Sequence, residues 1–147
     1  MHIDHVCIAV RSLDKAVPRL CQLFGYRPRT EKVINTRQQV TVVFLRREGS
    51  LDLKLIEPYG DESPLWTFLR TGEGLHHLCF KVDDTAEALA ELEGRGMRVL
   101  ARPAPGEAFD EGLIAFGYAG CGLNVELIDT DRRRSLVADG SGADNSG

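Results

Sequence analysis

The chain has 147 residues, 43% hydrophobic and 27% charged, with 22 acidic side chains against 18 Lys and Arg for a formal net charge of −4. That length suits one domain with a sizeable core. No apolar run approaches the roughly 20 residues of a membrane helix, the opening Met1-His2-Ile3-Asp4 lacks the pattern of a signal peptide, and the one basic run, Arg132-Arg133-Arg134, offers no face for a nucleic acid, so a cytoplasmic protein without membrane or nucleic-acid partners is expected.

In chain order, His5 to Val10 reads as a strand with Val6, Ile8 and Val10 on one face. Ser12 caps a following helix whose stripe is Ala16, Val17, Leu20, Leu23 and Phe24; Pro18 should bend it or delay its start, and Gly25 ends it. Val40 to Arg46 and Leu51 to Glu57 form a hairpin through Glu48-Gly49-Ser50, and Ser63-Pro64 opens a short helix carrying Leu65, Phe68 and Leu69. His77 to Val82 is a further strand, Asp84 and Glu87 make a capping box for a helix bearing Ala88, Leu89 and Leu92, and Leu113 to Tyr118 with Leu123 to Ile128 form a last hairpin. Cys7, Cys21, Cys79 and Cys121 lack C-x-x-C spacing and read as small hydrophobes. From Asp131 to Gly147 apolar residues become sparse, and a disordered tail is expected.

The second half repeats the first at a constant offset of 72 residues: His5 maps to His77, Val10 to Val82, Ala16 to Ala88, Leu20 to Leu92, Phe44 to Phe116 and Lys54 to Glu126. One shift held across some fifty residues implies a duplicated βαβββ unit, modules of about 1–60 and 73–130 in one domain spanning 1–130, and an α+β fold. If the units pair about a twofold axis, equivalent positions converge on it. Period-2 counting turns Val6, Ile8, Leu78 and Phe80 toward the helices, and leaves His5, Lys54, His77 and Glu126 as polar residues on the opposite, concave face. Two imidazoles, an ammonium and a carboxylate there are costly unless something satisfies them. Each histidine taken alone is an ordinary core histidine, and Lys54 with Glu126 reads equally as an ion pair across the axis.

The duplicated units, Ile3-Asp4-His5-Val6, Glu57-Pro58 through Asp61-Glu62-Ser63-Pro64, Gly72-Glu73-Gly74-Leu75-His76-His77, Val82-Asp83-Asp84 and Val125-Glu126-Leu127 together resemble the vicinal oxygen chelate superfamily, and within it the methylmalonyl-CoA epimerases. The resemblance implies paired modules in a cupped sheet, a homodimer, and a divalent ion (Co, Mn, Ni, Zn or Fe) held by His5, His77 and Glu126. His76 would face the helix layer. Two positions depart from the family: Lys54 stands where it has Gln or Glu, and an ammonium has no lone pair for a metal, while Val42 stands where the epimerases have a further catalytic glutamate.

Three functions fit this pattern. The first is a metal-assisted isomerase, epimerase or lyase that abstracts a proton next to a carbonyl, with Glu126 or Lys54 as the catalytic base, Val42, Phe44, Ile114 and Phe116 lining the substrate cavity, and an acyl-CoA as the substrate class that the resemblance implies. The second is an Fe(II) extradiol-type dioxygenase using His5, His77 and Glu126. The third is a metal-free protein that binds a small molecule, with Lys54 as counterion.

Overall fold

In a computed structural model, which describes residues 1–138, the chain folds as an α+β protein built on one open mixed sheet. The elements run β1 (His2–Ala9), α1 (Leu13–Phe24), β2 (Arg27–Pro28), β3 (Val33–Asn35), β4 (Val40–Arg46), β5 (Asp52–Pro58), α2 (Leu65–Leu69), β6 (Gly74–Lys81), α3 (Thr85–Gly94), β7 (Arg98–Gly106), a 3-10 turn at Glu107–Phe109, β8 (Gly112–Tyr118) and β9 (Asn124–Ile128). The strand order is β2-β4-β5-β1-β6-β9-β8-β7, with β3 paired to β4. Among the described residues no helix is long and apolar enough to cross a membrane.

The helix signals act as their chemistry requires. Ser12 accepts from the Lys15 amide at the start of α1, Gly25 ends that helix in the left-handed region at φ 72, and Asp84 accepts from the Glu87 amide at the start of α3. Pro18 lies inside α1 without delaying its start. The carbonyl it leaves without a donor belongs to Asp14, which is exposed and can turn to water.

The duplication is visible in the register. β1 runs parallel to β5 with Cys7 opposite Lys54, and β6 runs parallel to β9 with Cys79 opposite Glu126. Phe44 faces Lys54 between β4 and β5, just as Phe116 faces Glu126 between β8 and β9. The two units meet where β1 and β6 pair antiparallel. Strand alternation then sends Ile8, Leu53 and Leu55 under α1 with Ala16 and Leu20, and Phe80, Val125 and Leu127 under α3 with Ala88 and Leu92. The other face of the sheet carries a third cluster, including Cys7, Val42, Phe44, Cys79, Phe109 and Ile114. All four cysteines are free, and Cys7 and Cys79 are core residues.

Two β-bulges interrupt the central pairing. Between the pairs Ile3–Phe80 and His5–Cys79 the extra residue is Asp4 on β1; between Cys7–His77 and Ile8–Leu75 it is His76 on β6. Asp4 and His76 are themselves related by the 72-residue offset. A bulge re-aims the side chain it inserts, so His76 does not face the helix layer as period-2 counting has it. It turns toward His77, with its ring 5.1 Å from the His77 ring.

The expected tail is corrected in its first part. Residues 131–138 lie against the sheet: the Glu31 amide donates to the Ser135 carbonyl, the Val137 amide to the Arg29 carbonyl, and Leu136 bridges to Thr30. Arg133 is buried. Residues 139–147 fall outside the described part of the chain.

Candidate functional site

Strand parity and the 72-residue repeat bring His5, Lys54, His77 and Glu126 together at the seam between the units. All are buried, at 0%, 1%, 3% and 0% exposure respectively. Glu126 is the hub. Its Oε1 lies 3.1 Å from His5 Nε2 and 3.3 Å from His77 Nε2, and Lys54 Nζ lies 3.4 Å from Oε1 and 3.3 Å from Oε2. Burial is the largest single effect and works against charge on each member of the ion pair, but the partner's field together with the neighbouring charges and hydrogen bonds outweighs it. The Glu126 carboxyl is held well below the usual carboxylate range by Lys54 and by the histidine bonds, and Lys54 is held above its ordinary value, chiefly by Glu126. Lys54 is therefore an ammonium in a buried ion pair. Its Nζ also stands 5.1 Å from the Phe109 ring centre and 6.0 Å from that of Phe44, where ring faces favour a cation.

Behind each central histidine stands the residue that the bulge supplies. His5 Nδ1 is 2.8 Å from Asp4 Oδ2, and His77 Nδ1 is 2.8 Å from His76 Nδ1. Burial pushes His77 down to about 4 and also lowers His76, with Lys54 adding to the effect, so both imidazoles are neutral near pH 7. Ionised Glu126 accepts only, so the His77 proton sits on Nε2 and its Nδ1 must accept from the His76 Nδ1–H. That arrangement leaves the lone pair on His76 Nε2, which makes no hydrogen bond to protein among the described residues.

A cleft of about 570 Å3 opens beside this pair, lined by Lys54, His76, His77 and Phe116 with apolar walls that include Val40 and Ile56. Among the four residues expected around a substrate, Phe116 lines the cleft, while Val42, Phe44 and Ile114 are core residues on the same side of the sheet. Their parity is as expected, but Phe109 packs over that part of the cup and fills it. Asp4, Phe109 and Arg133 are the site's unanticipated neighbours. The offset of 72 from His76 is the sequence signal that finds Asp4; the composition of the terminal segment gives none for Arg133.

Ligand atoms of His5, His77 and Glu126 lie within 4.8 Å of one another, the spacing of a candidate metal set. The donor chemistry does not fit a divalent ion beside them, because the Lys54 ammonium holds both oxygens of the carboxylate that would be the anionic ligand. This gives a direct test. Wild-type protein, stripped of metal and titrated with Co(II) or Zn(II), is expected to show no one-to-one uptake by calorimetry and elemental analysis. Lys54→Gln, which exchanges a cation for a carbonyl lone pair, is expected to gain it. One-to-one uptake by the wild type would mean that the ammonium moves aside.

The same architecture occurs in proteins of known kind. A Streptomyces coelicolor methylmalonyl-CoA epimerase variant in complex with 2-nitronate-propionyl-CoA superposes with a TM-score of 0.79 at 27% identity, covering 89% of this chain and 98% of that one. By sequence, the chain is 31% identical over 128 residues to the mitochondrial methylmalonyl-CoA epimerase of Bos taurus, covering 85% of this chain and 72% of the relative. It is 32% identical over 100 residues to that of Dictyostelium discoideum, covering 67% of this chain and 59% of the relative. The family profile of the glyoxalase/bleomycin resistance protein/dioxygenase superfamily matches residues 4–116, a span that holds both bulges, both central histidines and the lysine. With the paired units, the open cupped sheet and the site at their seam, the match establishes that this chain belongs to that superfamily.

Proposed function

We propose that the protein catalyses proton transfer at a carbon next to a carbonyl, an epimerase-type isomerisation of a small acyl-CoA. The observation that carries the reading is the polar floor of an otherwise largely apolar cleft, where a neutral histidine with a free nitrogen, His76, stands beside the ammonium of Lys54. The epimerase relatives support the acyl-CoA class and favour isomerisation over a lyase reaction. A homodimer in the cytoplasm is the setting that the sequence suggests.

In this reading, Lys54 faces the carbonyl oxygen, and its charge lowers the free energy of the enolate oxygen that develops as the α-proton leaves. His76 Nε2 takes that proton while its Nδ1–H remains on His77, and the C–H electron pair moves into the enolate. His77 and Glu126 lie behind His76, so they orient and polarise the base. Glu126 is thereby a positioning residue, and the catalytic pair is Lys54 with His76. The largely apolar walls limit water beside the charges and so strengthen both interactions. A divalent ion would supply the same oxyanion stabilisation in the metal-assisted form of this chemistry; Lys54 supplies it from the chain itself. The Fe(II) dioxygenase reading uses His5, His77 and Glu126 and meets the same obstacle at Lys54.

Incubation of the full chain with methylmalonyl-CoA in D2O is expected to introduce deuterium at the α-carbon, read by mass spectrometry, well above the uncatalysed rate and without added metal. Absence of exchange, combined with tight binding of the same thioester by calorimetry, would overturn the enzymatic reading in favour of a binding protein. The Lys54 ammonium on both oxygens of Glu126, within the candidate metal set, is the observation that favours this second reading.

A further inference from the structure

We propose that the segment 132–137 is a strap, and that its Arg133 is a positioning residue for the site. The Arg133 side chain is 1% exposed, and its guanidinium lies 2.6 Å from Asp4 Oδ2, the same oxygen that meets His5 Nδ1 at 2.8 Å. His5 Nε2 in turn meets Glu126, which holds Lys54. A continuous line of charges and hydrogen bonds thus runs from the terminal segment, through Asp4, His5 and Glu126, to the ammonium at the cleft floor.

The aromatic packing follows the same line. The Arg133 guanidinium carbon is 4.6 Å from the Phe44 ring centre and 4.7 Å from that of Phe109, the two rings that also carry the Lys54 ammonium and flank His5. Two cations therefore share one pair of ring walls. Arg133 seals the cup on the Asp4 side, while the equivalent His76 side opens to the cleft. Burial opposes ionisation of Asp4, but the bond to His5 and the charge of Arg133 outweigh it and keep this carboxyl below its ordinary value. Losing the guanidinium would free Asp4 to turn away and release His5, and with it the orientation of Glu126 and Lys54. The strap is tied independently through Arg134, which reaches Glu111 at 3.1 Å, and through its backbone bonds to Arg29 and Glu31. A change at Arg133 alone therefore leaves the segment anchored.

The catalytic part of the inference rests on the proposed proton transfer, so the test includes a readout that does not. In Arg133→Met, which keeps the buried stem, the nitrogen-15 and proton signals of the His5 ring are expected to shift in the ligand-free protein, and Arg133→Lys is expected to restore them. With methylmalonyl-CoA, Arg133→Met is expected to lower kcat for α-deuterium exchange by roughly tenfold with little change in KM, since orientation rather than ground-state binding is lost. Arg133→Lys recovers most of that rate. Should Arg133→Met fail to fold, Asp4→Asn breaks the next link and carries the same expectations. Unchanged His5 signals in a folded variant, or Lys behaving as Met does, would overturn the proposal and leave Arg133 as packing only. Failure of exchange in the wild type with a clear His5 shift would retain the strap and overturn only the catalytic reading.

Discussion

Lys54→Met is expected to lose about 3–5 kcal/mol of stability, the range for removing one partner of a buried ion pair. Methionine preserves much of the apolar stem but removes the cation that holds both Glu126 oxygens at 3.3 and 3.4 Å. The carboxylate would then keep only its bonds to two imidazoles at a position with 0% exposure. It cannot turn to water, and protonating it weakens the bonds it keeps to the two imidazoles. Urea denaturation measures the loss directly, and a fall in melting temperature on the order of 10 °C should accompany it. The double variant Lys54→Met with Glu126→Leu removes both charges and is expected to recover most of the deficit, because the desolvation cost disappears with the attraction. A single variant within about 1 kcal/mol of the wild type would contradict a buried pair and return the value to that of a solvated one.

His76→Gln is expected to lower the rate of α-deuterium exchange by about 10^2 to 10^4, the usual contribution of a general base. Glutamine can still donate an amide hydrogen to His77 Nδ1, so the backing of His77 by its neighbour survives while the basic nitrogen is lost. Binding of the thioester, followed by calorimetry, should change far less than kcat. A rate within about threefold of the wild type would assign the proton to another group in the cleft. The two variants separate two roles at one floor: the lysine holds the structure and the oxygen, and the bulged histidine moves the proton.

What the chain discloses in advance depends on where period-2 alternation survives. The constant 72-residue offset locates His5, His77, Lys54 and Glu126 because it compares equivalent strands, and their convergence follows from pairing of β1 with β6. β7 is not apparent, since Pro103 and Pro105 fall within it, and that proline content is tolerated because it lies at the edge of the sheet. β2 spans two residues and β3 three, too few for alternation to register. His76 is misdirected by counting for a different reason: a bulge adds one residue and reverses every inference about facing from that point. Arg133 lies among charged and small residues that read as solvated, and its burial is explained by the aromatic pocket of Phe44 and Phe109 together with its ion pair to Asp4. Val42, Phe44 and Ile114 have the anticipated facing, yet Phe109 of the 3-10 turn occupies the space that a cavity would need.

The two bulges have a stereochemical consequence. They are equivalent by duplication, but one backs its histidine with an acid sealed under Arg133, and the other with an imidazole at the mouth of the cleft. A symmetric scaffold thus presents a one-handed surface, on which a bound molecule meets a proton acceptor from a single direction. Hydrogen leaving a stereocentre would return from the side it left unless the planar enolate first turned over, so isotope washes in faster than handedness is lost. The ratio of those two rates measures how often the planar enolate turns over before it is recaptured.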